Sequence, residues 1–310
     1  MRYLPRRLTL LLVCAGATAS AQTFPVKMAS HQSSYFRGVN PVVLPTYHVT
    51  FIVAQQATAV GGGAKARVTK VLTGVDEGML RRLTDEAHAD LRAQLTAAGF
   101  QVVTDEQARA MVAANDIPLM TGNIEIVIVE GGITLNKSIR QSYVTVGPTS
   151  APALAPYRYG APYLGQIKFN NQLAKGQPQD TLALIPHLVL DFANMNAATT
   201  QSTKKNVATA GGTAVFSVRG VSSGIMTVKV LPRDRMFPAF IRPERDYSVA
   251  TAFARDIVGG AEAAPLSIGG SSIARGDAIA IDRPAWEMLV RTAFKDYNAA
   301  IVAAVVKGRA

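Results

Sequence analysis

Leu80 to Val103 reads LRRLTDEAHADLRAQLTAAGFQVV, and its spacing decides the fold class. Leu80, Leu83, Ala87, Leu91, Leu95 and Ala98 recur at steps of three and four, which places them on one face of a helix. Asp76 stands where it can cap the start, so the spacing predicts a helix over 79–98. Gly99 occupies the place of a left-handed C-terminal residue, and Phe100 can fold back on the last turn. Gln101 to Val103 then reads as a short strand. A one-faced helix that ends on glycine and runs into a strand belongs to a layered sheet-and-helix domain.

Upstream, Tyr47 to Ala54 (YHVTFIVA) is rich in β-branched and aromatic residues and reads as a buried strand. Gly61-Gly62-Gly63 is a flexible break. It is no phosphate loop, because the GxxxxGK[ST] pattern is absent. Downstream, Thr104-Asp105-Glu106-Gln107 has capping-box spacing and opens a second helix through about Ala113. Asn123 to Val129 (NIEIVIV) is another strand. Residues 47–129 therefore read β-α-β-α-β.

Past residue 131 the pattern loosens. Ile133 to Val146 suits a hairpin. Pro148, Pro152, Pro156 and Pro162 predict a loop, part of an insertion over about 147–183. Leu184 to Met195 is strand-like, with Pro186 speaking against a central position there. Asn194 to Asn206 reads as a long polar connection. Thr213 to Arg219 and Ile225 to Leu231 read as strands joined by a Gly-Ser turn, and 249–258 as a short helix. Asp282 caps a terminal helix over 283–306, with Pro284 in its first turn. Trp286, Leu289, Val290, Ala293, Tyr297, Ala300, Ile301, Ala304 and Val305 form its apolar face. The expectation is a single α/β (α+β) domain over 47–310, with a mixed sheet flanked by helices, preceded by an extended lead-in at 22–46.

The chain has 310 residues, 48% hydrophobic and 17% charged, which excludes a disordered polyelectrolyte. The first residues predict export. Arg2, Arg6 and Arg7 form a basic start. Leu8 to Ala17 is an apolar run shorter than the roughly 20 residues that span a bilayer, and Ala19-Ser20-Ala21 offers a cleavage site before Gln22. Residues 1–21 are thus expected to be a signal peptide that carries away Cys14, the one cysteine, which excludes a disulfide scaffold. The expected location is the periplasm, the outer-membrane surface or the exterior. A net charge of +11 suits anionic lipid or polymer surfaces. The scattered basic residues and the export signal argue against nucleic acid.

Candidate chemistry is sparse. Gly220-Val221-Ser222-Ser223-Gly224 matches GxSxG, but a nucleophile elbow needs a following helix. Ile225 to Val230 is strand-like, so a hairpin turn explains the match. His31, His48, His88 and His187 are too dispersed for a metal pair, so no metal or cofactor is expected. Asp76, Glu77, Asp85 and Glu86 suit the dipole and solvent side of their helix. Asp191 interrupts an apolar run and is kept as a candidate. Two stretches combine aromatic and basic residues: Tyr157, Tyr159 and Tyr163; and Arg233, Arg235, Phe237, Phe240 and Arg242, followed by Arg245. They are the expected partner contacts, because aromatics and arginine favour interfaces.

Three stretches resemble the curli secretion channel (CsgG-like) family and its TolB N-terminal-like relatives. Leu80 to Val103 looks like the family's Gly-ended helix and following strand. Thr104 to Ala110 (TDEQARA) is similar to its next helix start, and Asp116 to Ile126 (DIPLMTGNIEI) to a strand entered on Thr-Gly. The terminal helix also fits. The chain departs from the family's lipoprotein signal, since Val13 precedes Cys14, and no pair of alternating membrane hairpins is legible. The resemblance thus implies a non-enzymatic envelope assembly or accessory role, with envelope proteins or further copies of the chain as partners. A ligand-binding module or a hydrolase are the alternatives.

Overall fold

The computed structural model describes residues 28–30, 33–61, 63–121, 124–134, 137–157, 163–175, 177–201, 206–220, 222–230, 236–249, 251–257, 267–268, 271–272 and 276–309. The expected signal peptide lies outside these residues. Met28–Ser30 (β1) and Val42–Val43 (β2) flank a 3-10 turn at Ser33–Phe36. His48–Gly61 (β3) and Ala64–Thr73 (β4) form a hairpin, followed by Glu77–Ala97 (α1) and Asp105–Ala114 (α2). Ile124–Thr134 (β5) and Lys137–Val146 (β6) form a second hairpin, then comes Tyr163–Ala174 (α3). Leu182–Gln201 (β7) and Asn206–Val218 (β8) form the longest hairpin. Gly224–Val230 (β9), Met236–Pro243 (β10), Tyr247–Val249 (β11) and Ala254–Ile257 (β12) follow. Ser267–Ile268 (β13) pairs with Ser271–Ser272 (β14) apart from the rest, and Asp277–Ile281 (β15) leads into Arg283–Arg309 (α4).

Helix α1 starts on Asp76, whose carboxylate accepts from the Met79 N–H at 2.7 Å. It stops because Gly99 adopts φ +79°, which lets the Phe100 N–H reach the Leu95 carbonyl at 3.1 Å. Thr104 and Gln107 form the expected capping box of α2. Asp282 accepts from the Ala285 N–H in the first turn of α4. Glu86 and Glu287 tie α1 to α4 through Arg82 and Arg291.

Among the described residues thirteen strands join in one mixed sheet with two parts. In the base, His48–Phe51 of β3 runs parallel to His187–Leu190 of β7, and β9, β10 and β1 extend the sheet outward. Helices α1 and α4 cover one face. There Leu80, Leu83, Leu91 and Leu95 join Tyr47, Phe51, Trp286, Leu289 and Tyr297 in the main core. The rings of Phe51 and Trp286 are 6.0 Å apart. A smaller core of Met111, Val112, Ile117, Leu154, Tyr157, Leu173, Ile185 and Met226 packs α2 and α3 elsewhere on the base.

Beyond Ile52 the sheet branches. The β3–β6 register shifts between Ile52 and Ala54, and the β7–β8 register between Asp191 and Ala193. There β3 leaves β7 and takes β4 as its neighbour, while β7 carries β8 away. The first blade is thus β5-β6-β3-β4 and the second β7-β8. They approach through small residues. Ala57, Ala59, Ala193 and Met195 are buried, with Val68, Ala197, Ala210 and Ala214 packed beside them. A Cβ added at Gly61 would lie 3.2 Å from the Thr199 methyl, and one at Gly212 would lie 3.3 Å from Lys70 Cγ. Glycine at these positions permits the close approach.

The mixed sheet flanked by helices is as expected, and several details differ. The 22–46 lead-in adds β1 and β2 to the sheet and buries Phe36, Val39, Val42 and Leu44. Ala64–Thr73 is a strand that went unread, because Lys65, Arg67 and Lys70 hide its alternation. The 147–183 segment holds helix α3, and the short helix expected at 249–258 is replaced by β11 and β12. The polar stretch 194–206 is mostly hairpin, since β7 runs to Gln201 and β8 begins at Asn206. Pro186 lies on an inner strand. β9 pairs it on one side; on the other, the sheet is interrupted between Val43 and His48, so the missing N–H breaks no ladder there.

Candidate functional site

Asp191 sits at the branch point and is 2% exposed. Its carboxylate accepts from the Phe192 N–H at 2.7 Å, from Gln55 Nε2 at 2.6 Å and from Arg219 Nε at 2.7 Å, with Arg219 Nη2 closing a second contact. Gln55 also donates to the Ala193 carbonyl and accepts from Gln141, and Arg219 reaches on to Asp246. Burial pushes the Asp191 carboxyl up, against the pull of Arg219 and the N–H donors. The group is a clasp: it fills the backbone bulge of β7 and joins it to β3 where the blades part.

The expected partner residues divide. Tyr159, Arg233 and Arg235 lie outside the described residues; Tyr163 begins α3 and Phe237 lies in β10, and only their backbones are described. Tyr157, Phe240 and Arg242 meet at one cavity of about 220 Å³, with Gln166, Ile185, His187, Ser222 and Met226 among its other lining residues. Tyr157 is 4% exposed, and its hydroxyl donates to Asn170 Oδ1 at 2.7 Å. Phe240 is 40% exposed and stands at the rim.

The β7–β9 pairing explains how this cavity gathers distant residues, because it sets His187 opposite Gly224. The GxSxG segment is the turn between β8 and β9, with a strand on each side. No helix lifts Ser222, and Ser223 Oγ accepts from the Val189 N–H at 2.8 Å. His187 Nε2 bonds the Thr50 hydroxyl at 2.8 Å, and Thr50 continues to Thr145. His48 Nε2 accepts from the Leu154 N–H, so its Nδ1–H donates to the Tyr157 carbonyl at 3.1 Å. Burial holds both imidazoles neutral, His48 near pKa 4 and His187, helped by His48 beside it, near 3. Gln166 and Met226 gave no sequence signal, because nothing local distinguishes a residue that faces a cavity.

A polar crevice lies beside α1, lined by Asp85, His88, Arg92, Asp105, Thr149 and Ser150. Its members satisfy one another: Asp85 accepts from the Thr149 N–H and hydroxyl, and Arg92 pairs with Asp105 at 2.7 Å. His88 Nε2 alone is buried without a hydrogen bond, 3.8 Å from Asp105. Among the described residues no group of three or more His, Cys, Asp or Glu side chains is placed to hold a metal, and no helix is long and apolar enough to cross a membrane. No protein-family model, curated protein or solved structure matches the chain.

Proposed function

We propose that the chain is an exported, non-enzymatic protein of the cell envelope that assembles edge to edge with copies of itself, as a piece or accessory of a surface structure. One observation carries the reading: among the described residues, no strand is hydrogen-bonded to the outer side of β5 or of Ala64–Thr69 of β4 in the first blade, β5-β6-β3-β4. Among the described residues β5 pairs only with β6, and Ala64–Thr69 of β4 pairs only with β3, since β15 begins opposite Lys70. Free edges of this length invite pairing unless a partner covers them. The two edges also differ in charge, with Lys65 and Arg67 on β4 and Glu125 and Glu130 on β5. Pairing β5 of one copy with β4 of the next is head-to-tail, and such contacts build rings when the rotation closes.

Native mass spectrometry of the protein released from its host's envelope fraction tests this. The expected species is a discrete oligomer of a chain that begins at or near Gln22. A monomer at every concentration, or a soluble full-length chain, overturns the reading. Val127→Pro and Ile128→Pro on β5 serve as paired probes: neighbouring N–H groups point to opposite sides of a strand, so one of the two must dissociate the oligomer without unfolding the subunit.

A further inference from the structure

The cavity between β7, β9, β10 and α3 takes no part in edge pairing and has a chemistry of its own. Its floor is apolar, formed by Ile185, Ile225 and Met226, and Phe240 adds an aromatic wall at the rim. Its polar lining includes Arg242, Gln166 and Ser222. Arg242 makes no side-chain hydrogen bond or ion pair with any described residue, so its five N–H donors are unspent there. Among the described residues no Asp or Glu lines the cavity to oppose it. Gly224 at the start of β9 also lines the cavity. A Cβ there would come within 3.3 Å of the Ile241 carbonyl and 3.5 Å of Arg242 Cβ.

We infer that this cavity binds a small organic acid, with its carboxylate on Arg242, Ser222 and Gln166 and a short apolar body on Ile185, Met226 and Phe240. Arginine suits the planar, two-oxygen geometry of a carboxylate. Size sets the rest of the class. An apolar cavity of about 150 Å³ holds a benzene ring, so 220 Å³ accepts one ring or a short chain with a single carboxylate. His187, which burial holds neutral, also lines the cavity. A pocket with an apolar lining and a few convergent polar groups is the usual form of a small-ligand site.

The test is calorimetric titration of the purified chain with benzoate and hexanoate, against benzyl alcohol, hexanol and inorganic phosphate. The acids are expected to bind saturably at one site per chain, at least tenfold tighter than the alcohols and than phosphate. Arg242→Gln should weaken the acids about tenfold and leave the alcohols unchanged. Its melting temperature should match the wild type, because the side chain has no described partner to lose. Absence of saturable acid binding overturns the inference. So do equal affinities for acids and alcohols, tighter binding of phosphate, or full acid affinity in Arg242→Gln.

Discussion

The base and the blades are one continuous sheet held together by opposite kinds of packing. In the base, large side chains from helices fill the space: Trp286, Tyr297, Tyr47 and Phe51 are each at most 2% exposed. In the blades, Ala57, Ala59 and Ala193 are buried with Ala197 packed beside the core, and a Cβ added at Gly61 would press on Thr199. A core of large residues is vulnerable to loss of volume and a core of small ones to gain of volume. The two parts meet at the Asp191 clasp, which belongs to neither kind.

Breaking the clasp should have a large effect. Arg219→Ala leaves a buried carboxylate short of its counter-charge, which costs about 3 kcal/mol. That is the low end of such losses, because Arg219 is 33% exposed and Asp191 keeps Gln55 and the Phe192 N–H. Urea unfolding measures it, and Asp191→Asn combined with Arg219→Leu should recover most of the loss. A single-variant cost under about 1 kcal/mol would remove the clasp from the comparison.

Opposite volume changes sharpen the contrast next. Leu91→Ala in the base should cost about 2–5 kcal/mol through the cavity it leaves. Ala57→Leu in the blades should cost about 1–3 kcal/mol by forcing the blades apart. Hydrogen exchange separates the two: the first variant should weaken protection throughout, the second mainly in β3, β4, β7 and β8. If Ala57→Leu is neutral, the blades are not closely packed.

A further effect is graded with pH and belongs to the base. His48 and His187 have folded pKa values of about 4 and 3, below the ordinary histidine value. As pH falls below about 6.5, the unfolded chain takes up protons that these imidazoles refuse in the folded state. Stability is therefore fully present above that pH and declines toward pH 4, by about 1.4 kcal/mol per pH unit for each histidine. Urea unfolding at pH 7 and pH 5 should show this, and His48→Gln should reduce the slope. A slope equal to the wild type's in that variant would show that other groups dominate.

The base was largely legible. The periodicity of 80–98, the Gly99 stop, the Thr104–Gln107 box and the apolar face of the terminal helix all proved as read. Half-legible was the cavity: Tyr157, Phe240 and Arg242 were singled out for their type, yet their meeting with Ser222 and His187 could not be read. The blades were the least legible. Asn194 to Asn206 looked like a connection, because alternation between alanine and threonine or asparagine carries almost no hydrophobic contrast.

By itself the sequence determined the elements whose signals are local: helix faces repeat within four residues, and caps act within three. Tertiary structure alone decided which small residues are buried. An alanine in a blade is interior only because the other blade covers it, and the groups that fix that meeting, Gln55 and Asp191, stand 136 positions apart. No short window contains both partners, so the branch of the sheet and the placing of Arg242 over its cavity exist only once the chain has folded.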